Sequence, residues 1–374
     1  MKFIHLSDLH LGKKVNEFSM IEQQKHILEQ ILRIISDESP DAVLIAGDIY
    51  DKSVPSTDAV LLFDDFLVSI AQMSIPVFAI SGNHDSAERI AFGSRLMDIS
   101  GIHLSPVYDG TAEPFELKDE FGSVYVYMLP FVKPANVRCF FPDGDTGSYD
   151  SAIRTAVKNM NIDISKRNII IAHQFVTGAV RCDSETVSVG GIDDVSADVF
   201  EPFDYAALGH IHGAQCILSE KIRYCGTPLK YSFSEANQKK SVTIAELKEK
   251  GSLEIRTAPL VPLNDMREIR GAYMEVTDRR NYNDENRNDF LHVTLTDEQY
   301  IPEAMERLRA VYPNIMKLDY DNLRTKVGRS EEIPTEDELN NPEKLFESFY
   351  ESINNVPMSK EQSEYISSLI EEIF

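Results

Sequence analysis

The sequence contains no tryptophan, and only four of its 374 residues are cysteines. None of these cysteines forms a CxxC pair, so we expect reduced thiols in a cytoplasmic protein rather than disulfides. No apolar run is long enough to span a bilayer, and Met1 leads directly into strand-like sequence without a signal peptide. We therefore expect no association with a membrane.

Basic residues are scarce, with 37 Lys and Arg against 61 Asp and Glu, which gives a net charge of −24. Such a charge argues against a polyanionic substrate. Two considerations weaken this argument, because bound metal ions neutralise carboxylates and a basic partner could supply the missing positive charge. The length of the chain favours two domains, and its 43% hydrophobic content is typical of a globular protein.

Five short apolar runs are each followed by polar residues, and their composition is typical of buried strands. The runs are residues 2–7, 41–45, 76–80, 168–172 and 204–208. Helical spacing of apolar residues predicts helices over about 19–37, after a cap at Ser56 or Thr57, and from Ser86 to about Ile99. Strands that alternate with helices favour α/β sheets, which bind ligands at the carboxyl ends of their strands.

The residues after these runs are potential metal ligands. They are Asp8, His10, Asp48, Asn83, His84, His173, His210 and His212. Each one taken singly is compatible with an ordinary turn or loop, but core packing does not explain five such runs, because buried polar groups need partners. Oxygen and nitrogen ligands without a thiolate favour Mn²⁺, Fe²⁺ or Zn²⁺ in hydrolytic chemistry over structural zinc.

Seven of these groups would already be too many for one ion, and they suit two ions roughly 3.5–4 Å apart. Asp48 follows the run 41–45 through Gly47, where the backbone can turn tightly. We predict that Asp48 bridges the two ions, because no other single carboxylate in the set is placed to serve both.

The motif series resembles that of the calcineurin-like metallophosphoesterases. It consists of Asp8-x-His10, Gly47-Asp48, Gly82-Asn83-His84-Asp85, His173 and Gly209-His210-x-His212. Further motifs resemble the bacterial SbcD-type nuclease subunits, which are homologues of the Mre-type DNA-repair nucleases. These are Asp8-Leu9-His10-Leu11-Gly12, Arg89 after Asn83-His84-Asp85-Ser86, Tyr224-x-Gly226-Thr227-Pro228, Ser232-Phe233-Ser234-Glu235 and Leu345-Phe346-x-x-Phe349-Tyr350. The loops at 130–148 and 178–194 match nothing in the family.

The resemblance implies a role for each ligand. One ion would be held by Asp8, His10, Asp48 and His212, and the other by Asp48, Asn83, His173 and His210. His84 would face the scissile phosphate as a catalytic residue, where it would stabilise charge or protonate the leaving oxygen. Asp85 would either orient His84 or cap the following helix. Mn²⁺ is the expected metal.

The resemblance also implies the architecture and the activity. We expect an α/β fold with a two-sheet sandwich flanked by helices over 1–260, a small α/β, DNA-facing cap over 263–327, and a linker with partner-docking helices over 328–374. The activity would be double-strand exonuclease and single-strand endonuclease action on DNA, in repair and recombination. The partner would be an SbcC-type, SMC-like ATPase, with a homodimer of this chain inside a heterotetramer.

Two alternatives remain open. The chain could be another phosphodiesterase or phosphatase of the same superfamily, acting on small or protein phosphoesters. It could instead be a non-catalytic scaffold with the same fold. His292 lies within a predicted strand and follows no turn, so we interpret it as structural.

Overall fold

The computed structural model describes residues 1–185, 193–282, 286–322, 344, 346–350 and 357–373. The chain divides into two compact units, Met1–Asp265 and Met266–Phe374. Within the described residues, no helix combines the length and the apolar character that crossing a membrane requires. The predicted linker at 328–341 lies outside the described residues. The predicted functions of the cap and of the docking tail stay predictions.

The first unit consists mainly of strands. They are β1 (Lys2–Leu6), β2 (Lys14–Val15), β3 (Phe18–Ser19), β4 (Ala42–Ala46), β5 (Val77–Ile80), β6 (Ile102–Leu104), β7 (Phe115–Asp119), β8 (Gly122–Leu129), β9 (Arg167–His173), β10 (Phe175–Val176), β11 (Asp194–Val195), β12 (Tyr205–Gly209), β13 (Gln215–Ile217), β14 (Ser219–Tyr224), β15 (Ser241–Leu247) and β16 (Leu253–Pro259). The helices are α1 (Ile21–Glu38), α2 (Thr57–Gln72), α3 (Ala87–Ile90), α4 (Ser94–Met97), α5 (Pro134–Arg138) and α6 (Tyr149–Lys158).

Two six-stranded sheets pack face to face, in the orders β16-β15-β1-β4-β5-β6 and β13-β14-β12-β9-β8-β7. Their inner faces share one apolar core, in which Phe3 and Leu44 of the first sheet pack with Ile169 and Tyr205 of the second. Strands β1, β4, β5 and β6 are parallel, as are β8, β9, β12 and β14. The predicted two-sheet α/β sandwich is therefore confirmed.

Helices cover the outer faces of the sheets. Helix α1 buries Ile27, Ile31 and Ile35 on one side, as its apolar spacing predicts. The Ser56 side chain caps α2 by accepting a hydrogen bond from the Ala59 amide at 3.3 Å. On the second sheet, α6 packs Ile153 into a separate core.

The predicted continuous helix over 86–99 is wrong. Gly93 has a φ of 77°, which is incompatible with a right-handed helix, and it separates α3 from α4. A short 3₁₀ turn over Asp98–Ser100 completes the segment. The apolar periodicity is that of a helix, but the glycine interrupts the backbone in its middle.

The apolar patterns of 222–226 and 241–247 predict strands of one closing sheet, but the two strands belong to different sheets. Strand β14 lies parallel to β12 in the second sheet, whereas β15 pairs antiparallel with β1 in the first. The predicted loop over 130–148 also contains the short helix α5. Pairing between distant segments decides these assignments, and local pattern does not reveal it.

The second unit has a three-stranded parallel sheet of β17 (Met266–Gly271), β18 (Phe290–Leu295) and β19 (Ile315–Tyr320), with β18 in the middle. Its helices are α7 (Tyr273–Val276), α8 (Ala304–Val311) and α9 (Lys360–Ile373). His292 lies in β18, with its ring nitrogens 3.0 Å from the Glu268 carboxylate and 2.8 Å from that of Asp319. The cross-strand contacts of its ring agree with a structural role.

The spacing of Ser359 and Gln362 predicts a capping box, and the structure shows one before α9. The Ser359 amide donates to Gln362 Oε1 at 2.9 Å, and the Gln362 amide donates to Ser359 Oγ at 3.3 Å. Asn341 and Pro342 have the types of a helix cap and a first-turn residue and predict the start of a preceding helix. Both lie outside the described residues.

Candidate metal centre

The predicted ligand residues meet at the carboxyl edge of the two sheets. Asp8 and His10 follow β1, Asp48 follows β4, and Asn83 and His84 follow β5 in the first sheet. From the second sheet, His173 is the last residue of β9, and His210 and His212 follow β12. Three overlapping groups of these side chains have potential ligand atoms within 4.8 Å of one another. They are Asp8 with His10 and His212, His10 with Asp48 and His84, and Asp8 with Asp48 and His173.

One half of the cluster is formed by His10 and His212. Their Nε2 atoms lie 3.2 Å apart, and both side chains are buried. Asp8 is also buried, and its two carboxylate oxygens each lie 3.1 Å from the amide of His210, which donates to them. The imidazole nitrogens of His10 and His212 and the carboxylate oxygens of Asp8 are therefore close enough together to bind one ion.

The other half is formed by Asn83, His173 and His210. Asn83 Oδ1 lies 2.9 Å from His173 Nε2 and 2.9 Å from His210 Nδ1. His173 Nδ1 donates to the Ala46 carbonyl at 2.8 Å, so Nε2 is the ring nitrogen that faces Asn83 and Asp48.

Asp48 lies between the two halves. Its Oδ2 is 3.3 Å from His173 Nε2 and 3.7 Å from His10 Nε2. Its Oδ1 accepts a hydrogen bond from the His84 amide at 2.8 Å. The Asp48 carboxylate therefore contacts one imidazole of each half, His10 and His173, which is the geometry that a bridging ligand needs.

Burial keeps most of the imidazoles neutral. It lowers the pKa of His210 to about 3 and holds the pKa values of His10 and His212 below their usual range. It also raises the pKa of Asp8 to about 7. For His173 burial acts in the opposite direction, but the Asp48 carboxylate outweighs it and raises the His173 pKa to about 9.

Neutral imidazoles are the form that binds metal ions, so His173 would release its additional proton when an ion binds. Together with two carboxylates and an amide oxygen, they form a donor set that fits divalent ions which accept both oxygen and nitrogen.

The backbone is strained at the ligands. Asp8, His10, Asp48 and His210 have φ values of 52°, 44°, 49° and 99°, in the left-handed region that side-chain-bearing residues rarely adopt. Such strain clusters at functional sites, where the surrounding structure enforces it.

Glycines make room for the ligands. A Cβ atom at Gly82 would overlap Asp48, and one at Gly209 would overlap the Ala46 carbonyl and lie 2.7 Å from His173 Nδ1. The close approach of the two sheets at this edge therefore depends on Gly209, and the close approach of two loops of the first sheet depends on Gly82.

The Asp85 carboxylate contacts the loop that carries Asp48. Its carboxylate accepts hydrogen bonds from three backbone amides, at 3.0 Å from Ile49, 2.9 Å from Tyr50 and 2.9 Å from Gly82. The side chain that caps α3 is Ser86, which accepts from the Arg89 amide at 3.4 Å. Asp85 therefore anchors the Asp48 loop and is not the helix cap.

His84 lies beside the cluster, with its ring 4.8 Å from the His10 ring between centroids. Its Nδ1 lies 3.0 Å from the Asp51 carbonyl, so a partner that orients His84 comes from the Asp48 loop. With Nδ1 held by this carbonyl, Nε2 is the ring nitrogen that points away from Asp51.

Sequence reasoning missed a group of side chains behind His212. Ser184 and Glu185 come from the loop at 178–194, and Glu235 and Lys240 come from the segment between β14 and β15. The Ser232-Phe233-Ser234-Glu235 motif was a signal for the second pair. No local pattern connects either pair to His212, because only folding brings the segments together.

This fold and this cluster define a metallophosphoesterase, and the chain belongs to the calcineurin-like phosphoesterase family, which matches residues 1–214. Residues 262–354 match the family SbcD_C, described as a type 5 capsule protein repressor C-terminal domain. The chain is 32% identical over 379 residues to the SbcD subunit of the nuclease SbcCD of Staphylococcus epidermidis, and the match covers 99% of this chain and 98% of that protein. The chain is thus a homologue of an SbcD nuclease subunit, and its centre binds divalent metal ions.

Two solved structures are also similar. A dimetal phosphatase from Danio rerio is 11% identical with a TM-score of 0.42, covering 70% of this chain and 98% of its own. The protein TT1561 from Thermus thermophilus is 11% identical with a TM-score of 0.37, covering 68% of this chain and 98% of its own.

Proposed function

We propose that this chain is the nuclease subunit of an SbcC–SbcD-type complex and that it hydrolyses DNA phosphodiester bonds. The observation that carries this proposal is Asp48, a buried carboxylate whose Oδ2 lies 3.3 Å from His173 and 3.7 Å from His10. Two ions on either side of such a carboxylate suit phosphodiester hydrolysis. The 32% identity to a nuclease subunit over nearly the whole chain supports nuclease action over other phosphoesterase chemistry.

We assign the ligands to two ions. Asp8, His10, Asp48 and His212 would hold one ion, and Asp48, Asn83, His173 and His210 would hold the other. The 3.2 Å approach of His10 to His212 and the 2.9 Å approaches of Asn83 to His173 and His210 support this division. The donor set contains no thiolate and suits Mn²⁺, Fe²⁺ or Zn²⁺. Among these ions, the resemblance to the SbcD-type nuclease subunits favours Mn²⁺.

Ions held there would supply the positive charge that stabilises the attacking and leaving oxygens. The protein itself contributes His84 beside the two ion positions. His84 is oriented by the Asp51 carbonyl and by its amide contact to Asp48, and it faces the reacting phosphate through Nε2. There it stabilises developing negative charge or donates a proton to the leaving oxygen.

We further propose that two copies of this chain pair within a heterotetramer. Helix α2 and the 87–100 segment connect successive parallel strands of one sheet, so right-handed crossovers place them on the same outer face. That face exposes large apolar side chains, which mark interaction surfaces when they form a patch. They are Leu61, Phe92, Leu96 and Ile99, at 57%, 85%, 75% and 86% exposure.

The ATPase partner would supply the positive charge that this chain lacks. A net charge of −24 disfavours DNA binding by the subunit alone. Residues 335–374 carry ten acidic side chains and only two lysines, which suits docking on a basic helical partner. A DNA-processing role of this kind places the chain in the cytoplasm.

A nuclease assay tests the proposal. Linear duplex, hairpin and single-stranded DNA are incubated with the purified chain, with Mn²⁺ or Mg²⁺ and with or without the ATPase. We expect end degradation of duplex DNA and internal cleavage of single strands, both dependent on the metal. Cleavage of small phosphoesters without any cleavage of DNA would favour another phosphoesterase. Metal-free protein with no activity on either substrate would favour a scaffold.

A further inference from the structure

The Nδ1 atom of His212, which faces away from the cluster, is linked through the Ser184 hydroxyl to the buried carboxylate of Glu235. Its Nε2 faces His10, and its Nδ1 lies 2.6 Å from the Ser184 hydroxyl. That hydroxyl donates in turn to Glu235 Oε1 at 2.5 Å. Because a carboxylate only accepts hydrogen bonds, the single hydroxyl proton of Ser184 points to Glu235. The hydroxyl oxygen must therefore accept the proton of His212 Nδ1.

Glu235 is held as a carboxylate inside the protein. Its side chain is fully buried, and the Lys240 ammonium donates to its Oε2 at 2.6 Å. Lys240 also donates to the main-chain carbonyl of His212 at 2.9 Å. The same ion pair thus fixes both the acceptor for Ser184 and the backbone of the histidine.

The loop that carries Ser184 is fastened to His212 by a second contact. Glu185 accepts a hydrogen bond from the His212 amide at 2.6 Å and another from the Cys182 amide at 2.8 Å. The turn over 182–185 therefore holds both the ring and the main chain of His212, and it keeps the Ser184 hydroxyl against Nδ1.

We propose that Ser184 and Glu235 are positioning residues that act through His212, fixing its imidazole with the proton on Nδ1 and the lone pair on Nε2. Outer groups that orient a metal-ligating histidine are worth about 10–100-fold in metal affinity. The inference rests on the metal-dependent function proposed above, and it adds that the 182–185 turn sets the affinity of the ion beside His10 and His212. The ion beside Asn83, His173 and His210 does not depend on this turn.

The test compares Ser184→Ala with Ser232→Ala in the full-length protein. Ser232 donates to the same Glu235 oxygen at 3.1 Å but does not take part in the contact with His212, so it is the matched control. Ser184→Thr keeps the hydroxyl and serves as the conservative rescue.

The first readout is the side-chain ¹⁵N–¹H spectrum of the metal-free protein, which distinguishes histidine tautomers, with His212 assigned from a His212→Asn spectrum. The second readout is a Mn²⁺ titration followed by calorimetry and electron paramagnetic resonance.

In wild-type protein and in Ser232→Ala we expect the Nδ1-protonated tautomer of His212 and two Mn²⁺ sites. In Ser184→Ala we expect mixed tautomers and a loss of about 10–100-fold in affinity at one site only, with Ser184→Thr near wild type.

An unchanged tautomer with two unchanged affinities would overturn the inference. Equal weakening of both sites, or failure of Ser184→Ala to fold, would also overturn it, because Ser184 would then be merely structural. A wild-type chain that binds fewer than two ions would contradict the proposed function instead, and the tautomer would still be readable.

Discussion

The main-chain amide of His84 donates a hydrogen bond to Asp48 Oδ1 at 2.8 Å. The other oxygen of the same carboxylate approaches His173 at 3.3 Å and His10 at 3.7 Å. Asp48 therefore connects three parts of the centre, namely the two ligand groups and the segment that carries His84. The consequences of changing either residue follow from this arrangement.

Asp48→Asn should abolish DNA hydrolysis and lower the metal content, because the amide removes the negative charge shared by both ions. Metal content is measured by mass spectrometry of the purified protein, and activity with Mn²⁺ on linear duplex DNA. Asp58→Asn, at an exposed position in the first turn of α2, is the control. An Asp48→Asn protein with two ions and a normal rate would contradict the two-metal assignment.

His84→Gln should leave both ions bound and lower the hydrolysis rate by roughly two to four orders of magnitude, the scale of acid–base and charge-stabilising groups. The rate is measured at saturating Mn²⁺, beside the metal content of the same preparation. His26→Gln, in helix α1, controls for the loss of a histidine. If His84→Gln loses an ion together with its activity, His84 is a ligand and our assignment is incorrect.

Gly209→Ala should destabilise the first unit and reduce metal binding, because the new Cβ would overlap the Ala46 carbonyl between the two sheets. Overpacking of this kind costs about 1–3 kcal/mol. Thermal unfolding with and without Mn²⁺ measures the effect. Gly147→Ala is the matched control, since the nearest atom to its added Cβ would be 3.8 Å away. Equal unfolding temperatures for the two variants would show that the sheets separate easily at this edge.

DNA affinity of the isolated chain should be weak and should rise strongly when the ATPase is present. The reason is the net charge of −24, because phosphate binding depends on Lys and Arg. Fluorescence anisotropy with labelled duplex DNA over a range of salt concentrations measures both affinities. Tight, strongly salt-dependent binding by the subunit alone would refute this prediction.

Truncation after Gly328 should leave a folded, metal-binding subunit that no longer co-purifies with the ATPase. The removed segment includes α9, whose sequence places Tyr365, Ile366, Leu369, Ile370 and Ile373 on one apolar face at helical spacing. Tyr365 of this face is exposed. Affinity purification of the co-expressed proteins measures the association, with the full-length chain as the control. Wild-type stoichiometry after truncation would reject the docking role. An insoluble truncated chain would instead indicate that the tail packs on its own unit.

Much of the centre was predictable from the sequence, because its ligands follow buried strands directly. Asp8, His10, Asp48 and His173 each come after a short apolar run, and parallel strands bring such positions to one edge. The sandwich was predictable through the resemblance of the same motifs to a known family. The helix over 86–99 was predicted incorrectly, because periodicity does not show that Gly93 adopts a positive φ.

The sequence by itself determined which side chains form the centre, since strand patterns and the residues that follow them are local properties. The tertiary structure alone decided what surrounds them. Asp85 anchors the Asp48 loop through the amides of Tyr50 and Ile49, which are 35 and 36 positions away in the chain. Ser184 and Glu235 meet behind His212 although 51 residues separate them. Hydrogen bonds between distant segments form only when the sheets pack, so no local pattern in the sequence encodes them.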